Sequence, residues 1–361
     1  MAHTTFDEAR TSFPEGSGYL AACTLGLPTT GTVDALTADL SAWQETRTDA
    51  ASYGRVVEDV RRSYADLVGV SVRDVAIGSQ TSAMVAMIAA SVPDGAEVLC
   101  VEGDFSSLVA PFLMQAHRGV RVRHAPLAEL ADHVDASTWL VAYSAVQSAT
   151  GAVADATAIR AAARAHGALT LNDLTQAAGW LPVDAAADDI TVCHAYKWLC
   201  APRGVAFLTA REAVLDRLRP SQAGWYSGED VWSSCYGPSL HLADSARRFD
   251  VSPAWQAWVG AAPAIALFAE LDASAVYTHD TGLAAALRAG IGDRRSLLTG
   301  TPSAIVTWLD PDGEDLRSMQ SAGITASGRA GRARVAFHLW NTDDDAAAVL
   351  DALETRPARV L

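Results

Sequence analysis

The sequence predicts an α/β fold, with a large domain built on a mostly parallel sheet between helices and a small α+β domain after it. Three observations carry this. Apolar, β-rich runs alternate with helix-patterned runs from residue 74 to residue 210, as strands joined by crossover helices do. From about residue 254 the pattern changes to two helices followed by mixed strands and helices. A chain of 361 residues is also long enough for two hydrophobic cores. The expected division is 16–252 for the large domain, with 1–15 and 253–361 forming the small one.

Residues 1–18 read as a short helical start and a loop marked by Pro14, Gly16 and Gly18. Gly26 and Pro28 then shape a turn. Residues 32–67 are helix-patterned, and Val33, Leu36 and Leu40 are spaced for one helical face. Residues 74–90 read as strand, polar turn and helix, the turn being Gly78-Ser79-Gln80-Thr81-Ser82. A helix N-terminus offers unpaired N–H groups and the positive end of a dipole, which suits a phosphate; an ordinary N-cap uses the same residue types. The turn is neither a Walker A loop nor a G-x-G-x-x-G fingerprint, so ATP and NAD are not supported.

Glu97–Glu102 is a buried strand running into Gly103-Asp104-Phe105. Arg121–Ala125 and Thr138–Val146 are strands, the second leading to Gln147-Ser148. Asp155–Gly167 is an amphipathic helix stopped by glycine. The next strand ends in Asp173, and an acid at the C-terminal end of such a strand points into the ligand crevice. Ile190–Cys193 and Val205–Thr209 are further strands. Residues 220–241 are loop-like and aromatic, and Pro253 opens a helix. The small domain is expected to hold helices 254–271 and 280–290, a strand 303–309, a helix 313–322, a strand 334–342 and a closing helix 343–353.

Lys197 is the only lysine; the other 26 of the 27 basic residues are arginines. Arginine serves wherever a plain positive charge is needed, but its guanidinium stays protonated and cannot replace an amine nucleophile. A lone lysine after a β-rich run therefore suggests a Schiff-base lysine at a strand end, against the plain alternative of a surface lysine in an Arg-biased chain. A Schiff-base lysine with an aspartate for a pyridinium nitrogen is the protein's part of pyridoxal 5′-phosphate chemistry. Lys197 and Asp173 are the candidate pair.

Asp173-x-x-Gln176, followed by His194-Ala-Tyr196-Lys197-Trp-Leu-x-x-Pro-Arg-Gly204, resembles the class V aminotransferase family of fold-type I pyridoxal-phosphate enzymes, nearest its kynureninase-like and isopenicillin-epimerase-like members. The resemblance runs from about Tyr19 to Thr342. It implies a seven-stranded sheet with one antiparallel strand, a place that Val205–Thr209 fits. It also implies a cofactor site of Lys197, Asp173, Gln176 towards O3′, Phe105 on the ring face, and Gln80, Thr81, Ser82, His194 and Tyr196 towards the phosphate. His194 departs from the serine of many relatives, and Tyr196 from the histidine of the desulfurase branch. On the substrate side it implies Arg334 for the α-carboxylate, with Arg332 two residues earlier leaving that choice open, and also Ser148, Cys23 in the N-terminal segment, and Trp225. Ser148 is shorter than the family's usual asparagine. The Gly224-Trp225-Tyr226 run resembles a segment offered to the neighbouring subunit, and Ser252 a hydroxyl lent to the partner's phosphate. A homodimer with shared active sites follows. The alternative for Trp225 is a loop packed on its own subunit.

The net charge of −15 argues against nucleic acid or an anionic membrane as partner. No secretory signal is visible at Met-Ala-His-Thr-Thr-Phe, and the apolar runs are too short or too broken to span a membrane. Five irregularly spaced cysteines fit free thiols in a reducing cytoplasm. Cys193, His194 and Cys200 lack a zinc spacing, so no metal is expected. The enzymes implied share Cα–H cleavage and then diverge. The expectation is an aminotransferase acting on an amino acid, with β- or γ-elimination by a lyase, or epimerisation, as alternatives. A cysteine desulfurase is argued against because no cysteine follows Cys235. A catalytically inactive pyridoxal-phosphate-fold binding protein is the reading from another class, and retention of Lys197 and Asp173 speaks against it.

Overall fold

The computed structural model describes residues 4–298 and 302–354; the outer ends of the expected small domain lie outside the described residues. A short helix α1 (Phe6–Arg10) precedes α2 (Thr30–Gln44) and α3 (Ala50–Val68), each opened by a side-chain cap from Thr5, Thr29 and Asp49. Strand–helix alternation follows: β1 (Val75–Gly78), α4 (Thr81–Ser91), β2 (Glu97–Val101), α5 (Ser106–Leu113), β3 (Arg121–Ala125), β4 (Thr138–Ser144), α6 (Ala156–His166), β5 (Leu169–Asp173), β6 (Ile190–His194) and β7 (Ala206–Ala210). The seven strands form one sheet in the order β1-β7-β6-β5-β4-β2-β3. All neighbours are parallel except β7, which runs antiparallel to both β1 and β6, as expected. The central strands are buried from end to end, so they read as near-continuous apolar runs.

The remaining elements are α7 (Trp255–Glu270), α8 (Ala273–Ile291), β8 (Ile305–Leu309), α9 (Glu314–Ser321), β9 (Ser327–Arg329), β10 (Arg332–Ala336) and α10 (Asp343–Glu354). A three-stranded antiparallel sheet, β8-β10-β9, is packed by α8 and α10. Backbone bonds from Leu20 N to Thr325 O (2.9 Å) and from Ala336 N to Leu20 O (2.9 Å) tie residues 19–21 to this sheet. Among the described residues, no single helix is long and apolar enough to cross a membrane.

The structure departs from expectation in four places. The last strand stops at Ala336 rather than running to Thr342, because Asn341 Oδ1 accepts from His338 N (2.9 Å) and Asn341 N donates to His338 O (2.8 Å), closing a turn. Helix α8 begins at Ala273 rather than 280, since Asp272 caps it by accepting from Ser274 N. Strand β9 was not expected; three residues are too few to show a period. The Val33-Leu36-Leu40 stripe does not face the core as a unit: Val33 and Leu40 are half exposed, while Leu36 lies against Gly260 of α7.

A buried ion pair fastens α3 to the sheet. The fully buried Arg61 donates to Asp250 from Nη2 (2.6 Å) and Nη1 (3.1 Å) and to the carbonyl of Val75 (2.7 Å), while Asp250 also accepts from Ile77 N. Removing one partner of such a pair strands a charge out of water. Arg61→Met should therefore cost about 3–5 kcal/mol in urea denaturation.

Candidate active site

The C-terminal ends of β5 and β6 open on a cavity of about 210 Å³ lined by Gln80, Thr81, Ser82, Phe105, Ser148, Asp173, Gln176, His194, Tyr196 and Lys197, together with Ser107, Ser144, Thr175 and Arg203. Parallel strands put their C-terminal ends on one edge, and the residues just beyond them converge there.

Lys197 sits in the turn after β6 and is 5% exposed. Its Nζ lies 5.1 Å from the Phe105 ring centre and 5.6 Å from that of Tyr196. Burial lowers its pKa from the ordinary 10.5 to about 8, against the pull of Asp173; the charges of Arg334 and Arg329 lower it further. The turn is gripped by glycine on two sides. A Cβ on Gly26 would stand 2.0 Å from the Lys197 carbonyl oxygen, and one on Gly179 would stand 2.6 Å from that of Trp198. Cys200 closes the turn in a left-handed conformation (φ 54°), uncommon for a residue with a Cβ.

Asp173 ends β5 and is 4% exposed. Burial pushes its carboxyl upward, while the N–H of Thr175, donating at 2.9 Å, and the Lys197 charge pull it down. Gln80, at the N-cap of α4, makes no side-chain cap bond, so the first-turn N–H groups there are not occupied by it. Thr81 Oγ1 lies 3.4 Å from Thr175 Oγ1, which accepts from His194 N. His194 is 7% exposed and its Nε2 has no partner. Burial, with the charges of Arg203 and Lys197, takes its pKa down to about 4. Arg203 stands 4.5 Å over the Tyr196 ring and makes no ion pair among the described residues.

Gln176 Nε2 donates to Cys23 O (2.9 Å) and to Ser148 Oγ (3.1 Å), and its Oε1 accepts from Trp198 Nε1 (2.7 Å). Both amide hydrogens are thus used within the protein, and Cys23 meets the site through its backbone carbonyl. Ser148 Oγ also accepts from Arg334 Nη1 (3.1 Å), which leaves the serine's own hydrogen for the cavity. Arg334 is 1% exposed and its remaining side-chain partners are Ser327 Oγ, Thr24 Oγ1 and the carbonyl of Ser148, all neutral. Arg332 turns back to Ala330 O (3.2 Å), so of the two arginines only Arg334 is bonded to a cavity-lining residue. Trp225 packs on Tyr226 and Trp232 outside this chain's cavity, and Ser252 is exposed and also outside it.

Sequence reasoning passed over Arg203, Asp104 and Thr175. Arg203 lay in the Pro-Arg-Gly that follows the lysine turn. Asp104 precedes Phe105, and its carboxylate accepts from Ser144 N (2.9 Å), Ser144 Oγ (2.6 Å) and Gln147 Nε2 (3.1 Å), joining the Phe105 turn to β4.

The class-V aminotransferase family model matches residues 38–304. The chain belongs to this family. It has the fold-type I architecture, it is an enzyme, and its cofactor is pyridoxal 5′-phosphate. It is similar to an uncharacterized aminotransferase, YcbU, of Bacillus subtilis (25% identity, covering 83% of each chain) and to a kynureninase of Deinococcus radiodurans (32% identity over 59% of this chain and 53% of the relative). A C-DES variant with glycine covalently linked to the PLP cofactor shares the fold (TM-score 0.87, 20% identity, 95% and 98% coverage). Isopenicillin N epimerases and probable cysteine desulfurases recur among the relatives, and solved cysteine desulfurases share the fold. Descent and fold therefore do not set this class-V enzyme apart from the desulfurases.

Because the folded-state pKa of Lys197 lies below 10.5, its reactive uncharged amine prevails above pH about 8. Competitive amine labelling of the apo-protein should give that midpoint. Between those values the unfolded chain binds a proton that the folded chain does not, so this group's contribution to stability rises with pH across the window. Gly26→Ala should displace the turn, and its labelling midpoint should move towards the ordinary lysine value.

Proposed function

We propose that this enzyme moves an amino group from an amino acid, with Lys197 as the cofactor-bearing amine. The observation carrying the reading is that the chain's single lysine is buried, with a depressed pKa, in one cavity with a buried aspartate. The residues present fit pyridoxal 5′-phosphate. The orphaned Nε2 of His194, the uncapped start of α4 and the unpaired Arg203 are donors awaiting an anion at one end of the cavity. The aspartate and the Phe105 face suit a protonated aromatic ring. When bound, the cofactor supplies an aldehyde carbon that condenses with amines and a ring that draws electrons from the substrate Cα.

The protein's own groups do the rest. Gln80, Thr81, Ser82, His194, Tyr196 and Arg203 would hold the phosphate. The Asp173 carboxylate would keep a proton on the ring nitrogen, while Phe105 would cover one ring face. Gln176 sets Ser148, whose free hydroxyl hydrogen is turned to the cavity. Arg334 would fork the substrate carboxylate in exchange for neutral partners that now hold its Nη1 and Nη2, and because those partners are neutral, its charge has no competing acid. The Lys197 amine, mostly uncharged above pH about 8, would take the Cα proton and return it elsewhere.

Amino-group transfer is favoured by the relative named an aminotransferase, which aligns over 83% of both chains. Desulfuration onto an enzyme thiol is disfavoured, as no cysteine follows Cys235 to serve the loop before Arg334. Five free thiols suit a reducing cytoplasm. We place Trp225 and Ser252, both outside this chain's cavity, against a second copy in a homodimer; gel filtration of an active monomer would overturn that.

An amino-acid panel decides the reaction. Transfer requires a keto acid as co-substrate; pyruvate, sulfide or alanine released without one would show a lyase instead. Purified enzyme should be yellow, and Lys197→Ala should lose the borohydride-fixable adduct. Asp173→Asn should lower kcat by roughly 100-fold or more. Arg334→Lys, which loses the two-pronged grip, should raise KM for the amino acid about tenfold or more.

A further inference from the structure

His338 stands two residues beyond β10 and Asp280 lies within α8; both side chains are fully buried. His338 Nε2 is 2.8 Å from the carbonyl oxygen of Trp198, and Nδ1 is 3.2 Å from Asp280 Oδ2. A carbonyl oxygen only accepts, so Nε2 carries a hydrogen. A bond at the other nitrogen then needs one further proton, on Nδ1 or on Oδ2. The second oxygen of Asp280 has no partner, and burial pushes this carboxyl up to about 6. The walls are aromatic: Phe268 stacks on the imidazole at 5.5 Å, and Trp198 and Trp340 meet it edge-on at 5.2 and 4.8 Å. A flipped ring would lose both bonds.

What this ring holds is the residue after the lysine. The Trp198 carbonyl is bound by His338, and its indole N–H donates to Gln176 Oε1. Gln176 and Arg334 both donate to Ser148 Oγ, and Arg334 lies four residues before His338 on the same stretch of chain. The bonds therefore close a circuit from Trp198 through Gln176, Ser148, Arg334 and the end of β10 to His338, and back to Trp198.

We propose that His338, held in one tautomer by Asp280, is a positioning residue that locks the Lys197 turn to the strand bearing Arg334. The amine and the guanidinium then keep one separation, as a reaction gripping the substrate at its carboxylate and acting at its Cα requires. This rests on the roles read for Lys197 and Arg334 above.

A chain with one lysine lets the turn be read without an assay. His338→Phe keeps a ring in the aromatic box and removes both bonds; Asp280→Asn can still donate to Nδ1 and preserve the tautomer. For His338→Phe, the pH midpoint of Lys197 labelling in the apo-protein should shift by about half a unit or more. In the reconstituted holoenzyme the midpoint of the visible absorption should shift as well, and kcat should fall about tenfold or more. Asp280→Asn should stay within about threefold of the parent in kcat, with its midpoints unmoved. A His338→Phe protein that loses only thermal stability, with both midpoints and kcat unchanged, overturns the proposal. If that variant does not fold, Asp280→Leu replaces it, and behaviour of Leu identical to that of Asn overturns the proposal equally. A parent protein that forms no coloured adduct defeats the reading of Lys197 itself, and the apo labelling result tells the two failures apart.

Discussion

An amine kept out of water is the constraint on which this structure depends. A protonated lysine is stable in solvent and costly inside a protein. The turn after β6 takes the chain's only amine side chain inside and sets against it one carboxylate, itself buried, rather than the shell of water that would keep it charged. The result is a nitrogen near the balance point between its two protonation states. Such a group can form a bond to carbon and can also carry a proton.

Holding the amine there requires a turn that cannot relax. Two glycines let backbone approach where any side chain would collide, and a cysteine accepts a left-handed backbone conformation at the end of the turn. Side-chain bonds do the rest: Gln176 and His338 bind the indole and the carbonyl of the same tryptophan. Each of these bonds comes from an element outside the turn. The lysine's place is therefore a property of the whole packed core rather than of residues 194–204.

The small sheet takes part in the same arrangement. Through Arg334 it contributes a guanidinium bonded only to neutral oxygens, in a chain with 42 acidic residues. An arginine left without an acid amid such an excess is a place for an anion from outside. Reaction type turns on what else the cavity admits beside that anion. The relatives, which include an uncharacterized aminotransferase, kynureninases and isopenicillin N epimerases, carry the names of several outcomes.

The sequence by itself determined the strand–helix alternation, the lone lysine and the acid ending the strand before it, while the antiparallel place of Val205–Thr209 was implied by the family resemblance. These are local signals: a period of two or 3.6, a residue type used once, a position at the end of an apolar run. Only the tertiary structure decided that Arg334 rather than Arg332 is bonded to the cavity wall, that Gln176 spends its amide on Cys23 and Ser148, and that Arg203 lines the cavity. It also decided that Asp280 and His338, 58 residues apart, meet at 3.2 Å beneath the lysine turn. None of these pairings leaves a trace in spacing. Each partner satisfies its hydrogen-bonding need across elements that meet only when the two sheets and their helices pack, and a buried polar group is defined by what it meets there.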